Sequence, residues 1–218
     1  MKIYAVRHGQ TIFNVLDKVQ GWADTPLTKK GEQDGVAAGQ RLKNVHFDVA
    51  LASDTSRAIH TAEFILAENN HPTPQLTYTP DWREFFFGSF EGGDNKAMWG
   101  ATAKSLGIDT EQPDELARHV DMTKIMNAIH EVDSKHLGED AAAFWQRMDQ
   151  SLAKLQQTYH DEDTVLLVTH GQLIWNLAQN YGHLETADRP QNGAVAVFNL
   201  DKNGHFSVDN FNDVTTIF

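Results

Sequence analysis

Cysteine is absent from the 218 residues, which removes disulfides, Cys-ligated zinc and thiol chemistry together. Long apolar runs are also missing. Nothing approaches the ~18 apolar residues that a membrane-spanning helix needs. The N-terminal stretch reaches Arg7 and His8 without the apolar segment of a secretory signal. The expected location is therefore the cytoplasm. Basic residues are few: 18 Lys and Arg stand against 30 Asp and Glu, for a net charge of −12. That balance disfavours nucleic acid and anionic membranes as partners. What is present is the mixture of a globular protein, 40% hydrophobic and 22% charged. The length suits one domain, 1–218, whose folding buries roughly 70% of the unfolded chain's surface.

Apolar and β-branched runs at 3–6, 47–52, 165–168, 194–200 and 206–211 predict strands. The run at 165–168 is apolar throughout, as a strand buried on both faces should be. Asn203 and Gly204 supply a turn between the last two. Helices are predicted between these runs. One spans 28–43, capped by Thr28, and carries Gly31, Gly35 and Gly39 at spacings of four. Each glycine costs a helix interior about 1 kcal/mol relative to Ala, so close backbone packing is the expected reason for them. Another helix covers 56–66. From Asp140, the residues Phe144, Met148, Leu152, Leu155 and Tyr159 form a stripe at spacings of three and four. Leu173, Ile174, Leu177 and Tyr181 repeat it, with Gly182 as the expected residue just past the helix end. Alternating strands and helices predict an α/β three-layer sandwich with a mostly parallel central sheet. The segment 92–138 breaks the alternation and is read as a helical insertion within the domain, a lid over the site.

Two similar motifs end two of the predicted strands: Arg7-His8-Gly9-Gln10-Thr11, and Thr169-His170-Gly171-Gln172. Ligands bind α/β sheets in the crevice outside the C-terminal strand ends, and glycine lets backbone approach a ligand closely. A third segment, Ser53 to Ala58 with Arg57, follows another strand at a helix start. Free N–H groups and a guanidinium there suit an anion. Two Arg and two His in one pocket fit a dianionic phosphomonoester. Taken singly, a His-Gly pair is a weak signal, and a lone Arg is more often a surface ion-pair partner. Of the 11 histidines, all but His8 and His170 are read as solvated or structural. No H-x-x-x-H or H-E-x-x-H spacing surrounds those two, so no metal site is expected.

The ordered series of motifs is more specific than any member. It runs Arg7-His8-Gly9-Gln10-Thr11, Asn14, Gln20-Gly21, Asp24-x-Pro26-Leu27-Thr28-x-x-Gly31, then Ser53-x-x-x-Arg57-Ala58-x-x-Thr61-Ala62. It continues with Arg83-Glu84-x-x-x-Gly88-x-x-Glu91-Gly92, Gly138-Glu139, Arg147 and Thr169-His170-Gly171. In this the chain resembles the histidine phosphatase superfamily, also called phosphoglycerate mutase-like, over most of its length. The resemblance implies His8 as the nucleophile that becomes a phosphohistidine. It implies Arg7, Arg57 and His170 as holders of the phosphoryl oxygens, Asn14 as an auxiliary phosphate ligand and Glu84 as the proton donor. Gln20 and Gly21 match a loop flanking the pocket. Glu91 is read as structural, and Asp81 as the lesser candidate for the acid.

The resemblance implies a metal-independent phosphatase or a mutase, the latter with 2,3-bisphosphoglycerate as cofactor. Between Phe85 and Leu116 only Lys96 and Lys104 are basic, which favours a phosphatase and a lid for an uncharged or mixed substrate body. A phospho-ligand binding module without catalysis would be expected to lack His8, Glu84 or His170, and all three are present. The expected partner is a small phosphorylated metabolite, handled by a monomer or homodimer without further cofactor.

Overall fold

The computed structural model describes residues 1–185 and 188–218. Six strands form one sheet in the order β3-β2-β4-β1-β5-β6. They are β1 (Lys2–Arg7), β2 (Val49–Ser53), β3 (Leu76–Thr79), β4 (Thr164–Thr169), β5 (Val195–Leu200) and β6 (Phe206–Asp213). The neighbours β3, β2, β4 and β1 are parallel, and β5 alone runs against the rest. The sandwich is thus mixed and mostly parallel, as expected.

The period-2 geometry of strands sends alternate residues to opposite faces, and both faces are apolar here. Tyr4, Val6, Leu166 and Val168 pack with Ala38, Leu42, Ala58 and Ile65. Those partners come from α2 (Lys29–Leu42) and α3 (Ser56–Ala67). Ile3, Ala5, Val165 and Leu167 pack on the other face with Phe144, Met148, Leu173 and Ile174. These come from α7 (Ala141–Thr158) and α8 (Gly171–Asn176), while α1 (Ile12–Val15) is a single turn after the first motif. The insertion carries α4 (Asn95–Ser105), α5 (Pro113–His119) and α6 (Met122–Val132). Its Met98, Leu116, Ile125 and Met126 are buried in the same apolar cluster as Phe144 and Leu173.

Three details depart from the sequence reading. The edge strand β3 carries no apolar alternation, with Tyr78 exposed, and its pairing with β2 is what makes it a strand. α8 passes into a π-helical turn over Leu177–Tyr181. Gly182 after it has φ −90°, and His183 takes the left-handed conformation at φ 52°. Gly182 is small for another reason: a Cβ would overlap the Val208 side chain of β6. Among the described residues, no helix is long and apolar enough to cross a membrane.

The glycines of α2 do serve close packing. A Cβ on Gly9 would overlap the Gly31 backbone, and one on Gly31 would overlap that of Gln10. This contact seats the loop that carries His8 against the start of α2. Gly35 faces only the Phe64 side chain, its virtual Cβ 3.1 Å from the Phe64 Cβ. Gly31→Ala is therefore expected to cost about 3 kcal/mol in urea unfolding despite its gain in helix propensity. Gly35→Ala should stay within about 1 kcal/mol of the parent protein. Equal effects of the two would contradict this packing account.

Candidate active site

The parallel pairing of β1 with β4 puts Arg7 opposite Thr169, and the His8 N–H continues the ladder to the Thr169 carbonyl at 2.9 Å. His8 and His170 thereby leave the ends of adjacent strands side by side, their ring centroids 5.2 Å apart. Arg57, at the start of α3, reaches between them. Its Nε donates to His8 Nε2 at 3.2 Å and its Nη2 to His170 Nδ1 at 3.1 Å. A guanidinium only donates, so both ring nitrogens are acceptors. The tautomers follow: His8 Nδ1–H donates to the Gly9 carbonyl at 2.8 Å, and His170 Nε2–H to Ser53 Oγ at 2.8 Å.

The remaining donors of Arg57 go to the Gly21 carbonyl (2.6 Å), the Ala23 carbonyl (2.9 Å) and Asp24 Oδ1 (3.0 Å). All five N–H groups of this fully buried side chain are thus satisfied. The loop that supplies these acceptors is held by Glu91. Its carboxylate accepts from the backbone N–H groups of Gly21, Trp22, Ala23 and Phe87 at 2.9–3.2 Å.

Glu84 lies across the cavity from β1, 5% exposed. Its carboxylate accepts from the backbone N–H groups of Phe85 (3.0 Å) and Gln172 (2.8 Å). Its own carbonyl accepts from Trp22 Nε1 at 2.9 Å and Arg147 Nη2 at 3.2 Å. Arg147 also donates to the carbonyls of Asp81 and Arg83, and is paired with Glu139 at 2.9 Å. The Glu139 and Arg147 of the sequence series therefore hold the backbone that presents Glu84. Arg83 turns away to pair with Asp54, and Asp81 pairs with Lys154.

Burial governs the proton equilibria. It lowers His8 and His170 well below the usual imidazole range, and the charges of Arg57 and Arg7 add to this, so both rings are neutral. Burial raises Glu84, although two backbone N–H groups, Arg57 and Arg7 pull the other way. Arg7 is lowered to about 10 by burial, with Glu84 opposing the shift.

A cavity of about 190 Å³ opens onto this group, lined by Arg7, His8, Asn14, Gln20, Glu84 and Gln172 among others. Arg57 and His170 stand behind His8, and Gly21 stands behind Arg57, rather than forming its wall. Asn14 Oδ1 caps its own helix and takes a bond from Asn192 Nδ2 at 3.3 Å. Gln20 is bonded to Thr11 and Thr25. The insertion roofs the cavity through Asn95, Trp99 and Pro113. An unprotonated imidazole nitrogen, two guanidinium groups and a carboxyl group with a raised pKa line or back one cavity. That is equipment for nucleophilic displacement at a negatively charged electrophile. Among the described residues, no three His, Asp or Glu side chains converge so as to hold a metal ion.

Sequence reasoning missed the segment before β5. The Pro190 carbonyl accepts from Arg7 Nη1 at 2.7 Å, Asn192 Nδ2 donates to the His8 carbonyl at 2.9 Å, and Arg189 lines the cavity. No local pattern marks these residues, because their role depends on the antiparallel pairing of β5 with β1. Gln172, by contrast, directly follows the second His-Gly pair.

The chain belongs to the histidine phosphatase superfamily (branch 1), whose model matches residues 3–214. Its fold superposes on the crystal structure of phosphoglycerate mutase from Bacillus anthracis with a TM-score of 0.90 and 30% identity, covering 98% of this chain and 93% of that one. The adenosylcobalamin/alpha-ribazole phosphatase of Escherichia coli is 27% identical over 170 residues, 78% of this chain and 73% of that protein. A 2,3-bisphosphoglycerate-dependent phosphoglycerate mutase of Neisseria meningitidis is 25% identical over 231 residues, 93% of this chain and 96% of that protein.

Glu91→Ala leaves four loop N–H groups without their acceptor and loosens the carbonyls that hold Arg57. We expect a loss of about 100-fold in kcat/KM for a simple phosphomonoester, measured by steady-state kinetics on protein shown to be folded by circular dichroism. Undiminished activity would contradict the positioning role of this carboxylate.

Proposed function

We propose that this chain is a phosphomonoesterase that works through a phosphohistidine on His8. The observation that carries this reading is the state of the imidazole: neutral, with Nδ1–H fixed on the Gly9 carbonyl and Nε2 unprotonated, accepting from Arg57 Nε, on a ring that lines the cavity. A neutral imidazole is a competent nucleophile, and covalent catalysis divides one difficult displacement into two easier ones. His8 Nε2 attacks phosphorus, the bond from phosphorus to the leaving oxygen breaks, and Glu84 gives that oxygen its proton. Water then attacks the phosphohistidine, loses a proton to the Glu84 carboxylate, and the P–N bond breaks to free His8 and inorganic phosphate. Arg7 and Asn14, at the cavity wall, hold the phosphoryl oxygens, while Arg57 contributes its charge from behind His8 and keeps both imidazoles in place. No metal ion is needed in this scheme, since guanidinium groups supply the positive charge and a side chain supplies the nucleophile.

A second reading, a phosphoglycerate mutase dependent on 2,3-bisphosphoglycerate, is favoured by the nearly full-length match to one such mutase and by the fold match to a phosphoglycerate mutase. Against it stands the shortage of basic residues between Phe85 and Leu116. The two separate on a panel of phosphorylated metabolites assayed with and without 2,3-bisphosphoglycerate. A phosphatase releases inorganic phosphate in both conditions, and a mutase isomerises its substrate only when primed.

Hydrolysis of p-nitrophenyl phosphate is expected to vanish in His8→Ala and to survive EDTA. Full activity of that variant, or a strict metal requirement, would overturn the mechanism. Glu84→Gln should impair esters with poor leaving groups more than those with good ones, and equal losses would argue against a proton donor. The pH profile has a definite sign. The nucleophile must be unprotonated, and its lowered pKa moves the rising limb of kcat/KM to the acid side of the ordinary imidazole value. The acid must be protonated, and its raised pKa moves the falling limb upward from the ordinary carboxylate range. A rising limb centred at or above ~6.5, the ordinary imidazole value, would contradict the assignment.

A further inference from the structure

The chain enters β5 through a turn at Gly193, whose φ of 72° lies in the left-handed region. A Cβ there would sit 3.0 Å from the Asp34 carbonyl oxygen. The backbone on either side of Asn192 is pinned. The Gln191 N–H donates to Asn212 Oδ1 of β6 at 2.8 Å, and the Gly193 N–H to the Arg7 carbonyl at 3.0 Å. Arg41 Nη2 of α2 donates to the Gly193 carbonyl at 2.6 Å. So fixed, Asn192 turns its side chain onto the first His-Gly motif. Both hydrogens of Nδ2 are used: one goes to the His8 carbonyl at 2.9 Å, the other to Asn14 Oδ1 at 3.3 Å. β1 ends at Arg7, so the His8 carbonyl lies past the register of both strand pairings. The Asn192 amide takes the place of a ladder donor there.

The second bond decides which end of the Asn14 amide is left for a ligand. The oxygen and nitrogen of an amide are nearly alike in shape, so their partners set the orientation. Asn14 Oδ1 accepts from the Thr11 N–H at 3.1 Å as well as from Asn192. Turning the amide over would set its NH2 group against two donors. Its N–H groups are therefore the ones available in the cavity that Asn14 lines. That matters for an anion, because phosphoryl oxygens only accept and an amide presented oxygen first would repel them.

We propose that Asn192 is a positioning residue for phosphoryl transfer. It holds the Asn14 amide with its N–H groups toward the phosphoryl oxygens, and it anchors the carbonyl of the nucleophilic residue. The inference rests on the phosphomonoesterase reading for the placement of the phosphoryl group beside His8 and Asn14. Asn192 stands behind the cavity wall rather than in it, so its effect passes through those two residues.

A double-mutant cycle with Asn14 tests this. Binding of orthovanadate, a phosphate analogue, is measured by calorimetry, and hydrolysis of p-nitrophenyl phosphate by steady-state kinetics. The fold of each variant is checked by circular dichroism. Asn14→Ala should weaken orthovanadate binding about tenfold and Asn192→Ala about fivefold, the scale of one hydrogen bond. In the double variant the Asn192 substitution should add less than about twofold, because the amide it orients is gone. The turnover number behaves differently. Asn192→Ala should lower kcat about tenfold even in the Asn14→Ala background, through the released His8 carbonyl. Asn192→Leu fills the volume of the amide without a donor and should match Asn192→Ala, which serves if the Ala protein fails to fold. Unchanged orthovanadate binding in the Asn192 variants, losses that multiply in full in the double variant, or a kcat unmoved in the Asn14→Ala background would overturn the role of Asn192. An unmodified protein that binds orthovanadate without hydrolysing the ester defeats the phosphomonoesterase reading, and the binding cycle still decides the role of Asn192.

Discussion

Arg57 is a guanidinium with no exposed surface, and the site depends on how its five donors are met. A buried cation is tolerated only when it is paired and fully hydrogen-bonded. Here the acceptors are Asp24, the carbonyls of Gly21 and Ala23, and one nitrogen from each of two imidazoles. Because the guanidinium only donates, it dictates the tautomer of both rings and holds both in the neutral form. One interaction thus couples the loop at 20–24 and the ends of β1 and β4 to the start of α3. Glu91 extends this dependence outward by fixing the loop's N–H groups while its carbonyls face Arg57.

The chain's acidity acquires a sharper meaning in this setting. A net charge of −12 still argues against extended polyanions. Locally the sign is reversed, with Arg7, Arg57, Arg189 and Lys18 lining or backing one cavity. Burial makes the charges of Arg7, Arg57 and Arg189 costly, and acceptors drawn from distant segments offset part of that cost. The result is a small cationic focus with neutral imidazoles inside an acidic surface, suited to a single compact anion.

Much of this was legible in the residues. The strands β1, β2, β4, β5 and β6 follow from apolar periodicity, and the two His-Gly motifs fall at the ends of the adjacent parallel strands that topology favours. His8, Arg7, Arg57, Glu84 and His170 converge because each lies within a few residues of an element whose place the pattern implies. Gly31 looked like a liability for α2 and proves to be a contact surface for the Gln10 backbone. What escaped was held by tertiary reach alone. β3 is a strand through its neighbour, Gly182 is small because β6 passes over it, and Arg189, Pro190 and Asn192 meet the site through the register of β5 on β1. Gly21 reads as a pocket residue in the motif, whereas its carbonyl serves Arg57 from behind.

In the proposed mechanism His8 attacks through Nε2. Its Nδ1–H is committed to the Gly9 carbonyl, and Nε2 is the unprotonated nitrogen of a ring that lines the cavity. Rapid acid-free quenching during turnover, followed by proteolysis and phosphorus NMR of the labelled peptide, distinguishes the two phosphohistidine isomers. Phosphate on Nε2 of His8 is the expected result. Phosphate on Nδ1, or on any other residue, would contradict it.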